Sequence, residues 1–130
     1  MASLRSALPA LLIVVGLAGC SSPSPVTTIF DAPRTAADEL PAATSTIEGF
    51  VPESSRLLWE GVEASYYAAQ GDGDPGMVIC LIAVVGVDAD ATCSARVPIG
   101  RVGDGGEEVS LGETGPDGWT KRGDYFWSRD

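Results

Sequence analysis

The rhythm of apolar and polar positions changes along the chain. Residues 7–17 form a nearly continuous apolar run, interrupted by Pro9 and Gly16. Residues 18–46 are mostly small and polar, with repeated Pro, Ser and Thr. From residue 47 onward, short apolar segments alternate with turns rich in Gly and Asp, the pattern of short strands. Leu57-Leu58-Trp59 is one such segment, ended by Gly61, and residues 64–69 with Tyr66 and Tyr67 read as the next strand. Residues 71–76, GDGDPG, are a dense turn signal. Residues 77–85, MVICLIAVV, are apolar throughout. Their β-branched content and flanking glycines favour a strand buried on both faces over a helix. Residues 88–90 read as another turn and residues 92–97 as the returning partner strand. Residues 109–111 are a short strand, Gly115-Pro116-Asp117-Gly118 suits a tight turn, and residues 119–127 form a closing hairpin arm. The expected fold is mainly β: a small antiparallel sheet or β-sandwich-like domain over residues 47–130, with one short helix before it.

That helix is predicted between two prolines. Thr35 can cap it, with Asp38 three residues later as in a capping box. Pro41 ends it, because a residue before proline leaves the helical region. Phe30 and Leu40 are placed to pack on the domain, while residues 42–46 loosen into small polar positions. Ahead of it, residues 21–28, SSPSPVTT, carry no charge and little apolar bulk. They read as an extended linker reaching about 25 Å.

The first nineteen residues have the order of a secretory leader: Arg5 near the start, the apolar run, then small residues. The run is about half the ~20 residues that a spanning helix needs. At its end, Leu17-Ala18-Gly19-Cys20 resembles the bacterial lipobox. The resemblance implies a diacylglyceryl group on the Cys20 sulfur and cleavage just before Cys20. One acyl chain holds a protein only marginally at a membrane, whereas two suffice. The expected division is therefore residues 1–19 as leader, residues 20–46 as lipidated cysteine, flexible tether and short helix, and residues 47–130 as the domain. The expected location is the extracytoplasmic face of the cell membrane. An ordinary secreted protein with a chance cysteine at its cut site is the alternative.

Charge and cysteine count narrow the function. The chain has 8 Lys+Arg against 18 Asp+Glu, a net charge of −10. Without a basic run it is a poor match for phosphate backbones, so no nucleic-acid partner is expected. Three cysteines leave an odd one, which Cys20 accounts for. Cys80 and Cys93 then remain in a chain addressed to an oxidising compartment, where a structural disulfide is the expectation. Their spacing is not C-x-x-C, which argues against a redox pair, and two thiols without imidazole argue against a metal site. The chain has no histidine, which excludes Ser-His-Asp and Cys-His catalysis. Lys121 is the one lysine and sits in a polar stretch, a weak basis for a Ser–Lys pair. Asp72-Gly73-Asp74 and Asp88-Ala89-Asp90 begin like calcium loops but lack the later ligands. No cofactor and no metal are expected.

Trp119, Tyr125, Phe126 and Trp127 cluster near the C-terminus. Such aromatics commonly fill a small core. As a ligand platform, Trp119, Tyr125 and Trp127 would stack on wall glycans. Beyond the lipobox, Ala37-Asp38-Glu39-Leu40-Pro41, Tyr67-Ala68-Ala69-Gln70-Gly71 and Cys80-Leu81 with Cys93 resemble small actinobacterial envelope lipoproteins of uncharacterised function. These show an A-D-x-L-P motif, a strand ending Y-x-A-x-G and a C-L…C pair. The resemblance covers residues 33–95 and implies a fold and compartment, with no activity to carry over. The expected role is non-enzymatic, structural or protein-binding, at the envelope. A wall-glycan or small-ligand module and a carboxylate-dependent hydrolase are the alternatives.

Overall fold

In a computed structural model, the structure describes residues 25–73, 78–103 and 107–130. The leader, Cys20 and the start of the linker lie outside the described residues. Two antiparallel four-stranded sheets make up the domain. The first runs in the order β1 (Arg56–Glu60), β2 (Ser65–Gln70), β3 (Ile79–Val85) and β4 (Asp88–Ser94). In the second, β5 (Ile99–Val102) pairs with β6 (Glu108–Leu111), β6 with β8 (Phe126–Arg129), and β8 with β7 (Thr120–Gly123).

Alternation along each strand decides how the sheets stack. Tyr66 and Ala68 on β2, and Leu81 and Ala83 on β3, face one way. They meet Ile99, Val109, Leu111 and Phe126 of the second sheet in one buried cluster. Tyr67 and Ala69 on β2, and Cys80, Ile82 and Val84 on β3, face the other way. There they meet Phe50, Leu40, Ala43 and Ile47 from the segment before β1. β3 is thus covered on both faces, which is why its sequence shows an apolar run and no alternation. The result is a sandwich with a third, irregular layer over the outside of the first sheet.

The third layer corrects two expectations. The predicted capped turn is present, as the 3-10 helix Ala36–Asp38 with its Thr35–Asp38 capping box, but it is one of four short 3-10 helices among the described residues, with Pro25–Phe30, Ala42–Thr46 and Pro52–Ser54. Between Pro33 and Pro41 there is too little chain to nucleate an α-helix, so tertiary contacts hold single turns instead. The linker reading fails over its second half: Pro25–Phe30 is helical and Val26 is fully buried in the inter-sheet cluster. Residues 42–46, read as loose, form a turn in which the Thr44 hydroxyl donates to the Pro41 carbonyl at 2.8 Å. Phe30 and Leu40 do pack on the sandwich, as expected.

The β3–β4 hairpin is also shifted from its reading. Val85 pairs with Asp88, so the turn is Gly86-Val87, with Gly86 at φ 59°. Asp88 and Asp90, read as turn residues, stand on the edge strand β4, and that strand ends at Ser94 rather than at Val97. An edge strand sends alternate side chains to water, so acids are tolerated there. β5 is an element the sequence reading did not contain. Ile99 is its one fully apolar inward residue, and it stands between Pro98 and Gly100.

Asp38 fastens the third layer to the first sheet. Its carboxylate accepts the Thr35 N–H at 2.8 Å, the Thr35 hydroxyl at 3.2 Å and the Leu57 N–H of β1 at 2.8 Å. The Ser55 hydroxyl donates to its carbonyl at 2.6 Å. Burial alone would raise the Asp38 pKa. The backbone donors of Thr35 and Leu57, the Thr35 hydroxyl and the Arg56 charge outweigh it and lower the pKa below the ordinary 3.8. The stabilisation is therefore complete above that ordinary value and is lost as pH falls through the lower folded value. Asp38→Ala is expected to cost about 2 kcal/mol at neutral pH. It should also remove part of the acid limb of stability, as read by urea unfolding at pH 7 and at pH 3.

Candidate functional site

Strand directions give the sandwich two distinct ends. One end carries the β1–β2 turn, the β3–β4 turn, the β5–β6 connection and the close of β8. The other carries the start of β1 and the β7–β8 turn. At the first end lies a cleft of about 470 Å³. Its inner wall is aromatic. Trp59 lies parallel to Tyr66, at 6.0 Å between ring centroids and 3° between planes. Phe126 supports both rings from the core, at 6.2 Å from Trp59 and 5.2 Å from Tyr66.

Charged groups surround that wall. The Tyr66 hydroxyl donates to Glu107 Oε2 at 3.0 Å. The Arg122 guanidinium lies over the Trp59 ring at 4.7 Å and donates through Nε to the Ser128 hydroxyl at 2.9 Å. Glu63 and Asp130 complete the lining with Val62, Ala64, Val85 and Gly103. Among the described residues, neither Glu63 nor Asp130 enters an ion pair or a hydrogen bond. Burial raises the Tyr66 pKa, and the Glu107 hydrogen bond and charge add to it, against a lowering from Arg101; the outcome is about 12. Glu107→Gln removes the charge but not the burial, the largest cause, and is expected to lower the Tyr66 titration only in part. Titration of the Tyr66 ring resonances by NMR checks this.

In two other hollows the lining cation is already bonded to the chain's own carbonyls. A groove of about 540 Å³ within the third layer, lined by residues from Arg34 to Glu53, is flanked by Arg34, which donates to Pro52 and Ser55. A hollow of about 380 Å³ at the far end is crossed by Arg56, which donates to the Phe30, Ala32, Ser54 and Ser55 carbonyls.

The residues singled out from the sequence are dispersed. Cys80 and Cys93 stand directly opposite each other on β3 and β4 and form a disulfide. Cys20 lies outside the described residues. Tyr125 sits in the β7–β8 turn at the far end, within 3.4 Å of the Thr28 hydroxyl. Trp119 and Trp127 are on the outer face of the second sheet. Arg129 lies over Trp119 at 5.4 Å and Lys121 over Trp127 at 5.7 Å. Gly115 presses on Trp127 so closely that a Cβ there would fall 2.2 Å from the ring. The glycan platform of Trp119, Tyr125 and Trp127 is thus split between two places. Phe126, the fourth aromatic, is core. Asp88 and Asp90 hold no metal cluster: among the described residues, no group of three or more acids or cysteines is placed to bind one.

Sequence reasoning missed the cleft, because Trp59, Glu107, Arg122 and Asp130 come from four separate strands or their ends. A signal was present in the turns, where an apolar residue stands at Val62 and again at Val87. Comparisons with protein-family models, with curated proteins and with solved structures returned no match.

Proposed function

We propose that this chain is exported, lipidated on Cys20 and held at the extracytoplasmic face of the cell membrane, where the sandwich acts as a non-enzymatic binding protein. The leader and the Leu17-Ala18-Gly19-Cys20 sequence support the anchorage. The disulfide between Cys80 and Cys93 agrees with an oxidising compartment. The observation that carries the binding role is the position of the cleft relative to the chain's first described residues. The Pro25–Phe30 helix packs near the β7–β8 turn through Thr28 and Tyr125. The cleft opens at the opposite end, away from a tether starting at Cys20.

Hydrolysis by paired carboxylates is a poorer account of the same cleft. A general acid at neutral pH needs a carboxyl shielded from water. Glu63 and Asp130 are exposed, and Glu107 is engaged by Tyr66. A wall-glycan module is the second reading, supported by Trp119 and Trp127 sharing one sheet face and weakened by Arg129 and Lys121 lying over those rings.

Cys20→Ser tests the anchorage. The substituted chain is expected in the medium or as uncut precursor, with more than about tenfold less of the mature form in the membrane fraction. The estimate follows from losing two acyl chains at about 0.8 kcal/mol per buried CH₂. A variant that still fractionates with membranes at the wild-type level overturns the reading.

A further inference from the structure

Four of the most exposed large apolar residues share the cleft end of the sandwich. Val62 is 104% exposed, Val87 89%, Val102 66% and Val85 42%. Val62 and Val87 occupy the tips of separate hairpins, and both tips read Gly-Val-acid-Ala: Gly61-Val62-Glu63-Ala64 and Gly86-Val87-Asp88-Ala89. Turn tips are ordinarily polar, since nothing there buries an apolar side chain. Valine beside an acid at two tips of the same end makes a rim that offers apolar contact and negative charge together. The cleft inside the rim has the same character, with Glu63, Glu107 and Asp130 over an aromatic wall. Arg122, the cation that lines it, is held against the wall by Trp59 and Ser128, both neutral, and so keeps its charge and offsets one of the three carboxylates.

We propose that this end is a docking surface for a partner protein presenting lysine or arginine among apolar residues, with one cationic side chain entering the cleft beside Glu107 and Glu63 and flanking apolar side chains resting on Val62 and Val87. Three carboxylates against one guanidinium leave the lining with a surplus of two negative charges, which selects for a cation, and the chain's net charge of −10 draws such a partner in. Aromatic rings beside carboxylates favour a desolvated cation. The valines supply the apolar contact that charge alone does not. The proposal deepens the binding role given above and names the chemistry of its partner.

The test is an NMR titration of the full chain with two capped peptides, acetyl-Val-Lys-Val-Lys-amide and acetyl-Val-Glu-Val-Glu-amide. The lysine peptide is expected to shift the Trp59 indole N–H and the Val62, Val85 and Val87 methyls, and the glutamate peptide to leave them in place. Combining Glu63→Gln, Glu107→Gln and Asp130→Asn should weaken the lysine peptide by roughly tenfold or more. Val62→Ser with Val87→Ser should weaken it by about fivefold, from the apolar area lost. Glu63, Asp130, Val62 and Val87 are exposed and Glu107 is half-buried, and an unchanged Leu81 and Phe126 resonance pattern reports an intact fold. Equal shifts from both peptides, or an undiminished affinity in the acid-depleted variant, overturn the proposal. So do shifts confined to Trp119 and Trp127, or a response to chitotetraose with none to the lysine peptide. Anchorage through Cys20 is read by fractionation, so the two claims fail separately.

Discussion

Phe126→Ala is expected to lower the unfolding free energy by about 3–5 kcal/mol, the range for removing a buried aromatic ring. Phe126 is fully buried and lies where the two sheets meet, in the cluster with Tyr66, Leu81, Val109 and Leu111. Its ring also holds Trp59 and Tyr66 in position. The substitution should therefore do more than destabilise. The Trp59 emission maximum should move to the red under native conditions, because the cleft wall loses its support. Total stability in a domain of this size is about 5–15 kcal/mol, so the loss is a large share. Urea unfolding followed by Trp fluorescence and by circular dichroism measures both effects. A midpoint equal to the wild type would mean that the sheets do not pack through Phe126.

Replacing Cys80 and Cys93 together with alanine is expected to cost about 3 kcal/mol, from the loop-closure entropy of a cross-link of this span. The bond joins residues separated by 13 in sequence and opposite each other in register. It ties the edge strand β4 to β3, whose Cys80 is fully buried beneath the third layer. β4 has little else apolar to hold it, since only Ala89 and Ala91 pack inward on that face. Hydrogen exchange should therefore rise in β4 first, at Asp88–Ser94, with β2 and β6 still protected. The comparison of wild type with the double variant in urea, without reductant, gives the magnitude.

Much of the sandwich was legible because its central strands have unambiguous signatures. β3 is apolar at every position, and β2 carries two tyrosines on opposite faces. The closing hairpin was readable from Gly115-Pro116-Asp117-Gly118 and the aromatics after it. What escaped depends on contacts between distant residues. β5 exists because β6 pairs with it and Ile99 finds Leu111, not because Ile99-Gly100-Arg101-Val102 has a strand pattern. Arg101 is held there by Asp90 of β4, an ion pair across the two sheet edges that makes sense of both residues. Asp38 was read as the capping-box partner of Thr35, and its larger role toward Leu57 lies nineteen residues away. The cleft escaped for the same reason. Trp59, Glu107, Arg122 and Asp130 have no spacing rule, and only the stacking of one sheet on the other gathers them.

The location of the protein decides whether its cleft can meet an envelope partner at all, and intact mass analysis of the N-terminus of native protein reads that location directly. The expected N-terminal residue is Cys20 carrying a diacylglyceryl group, on a chain whose Cys80 and Cys93 are two mass units short of the dithiol. A native chain that still begins at Met1, or one that begins at an unmodified Cys20, contradicts the account.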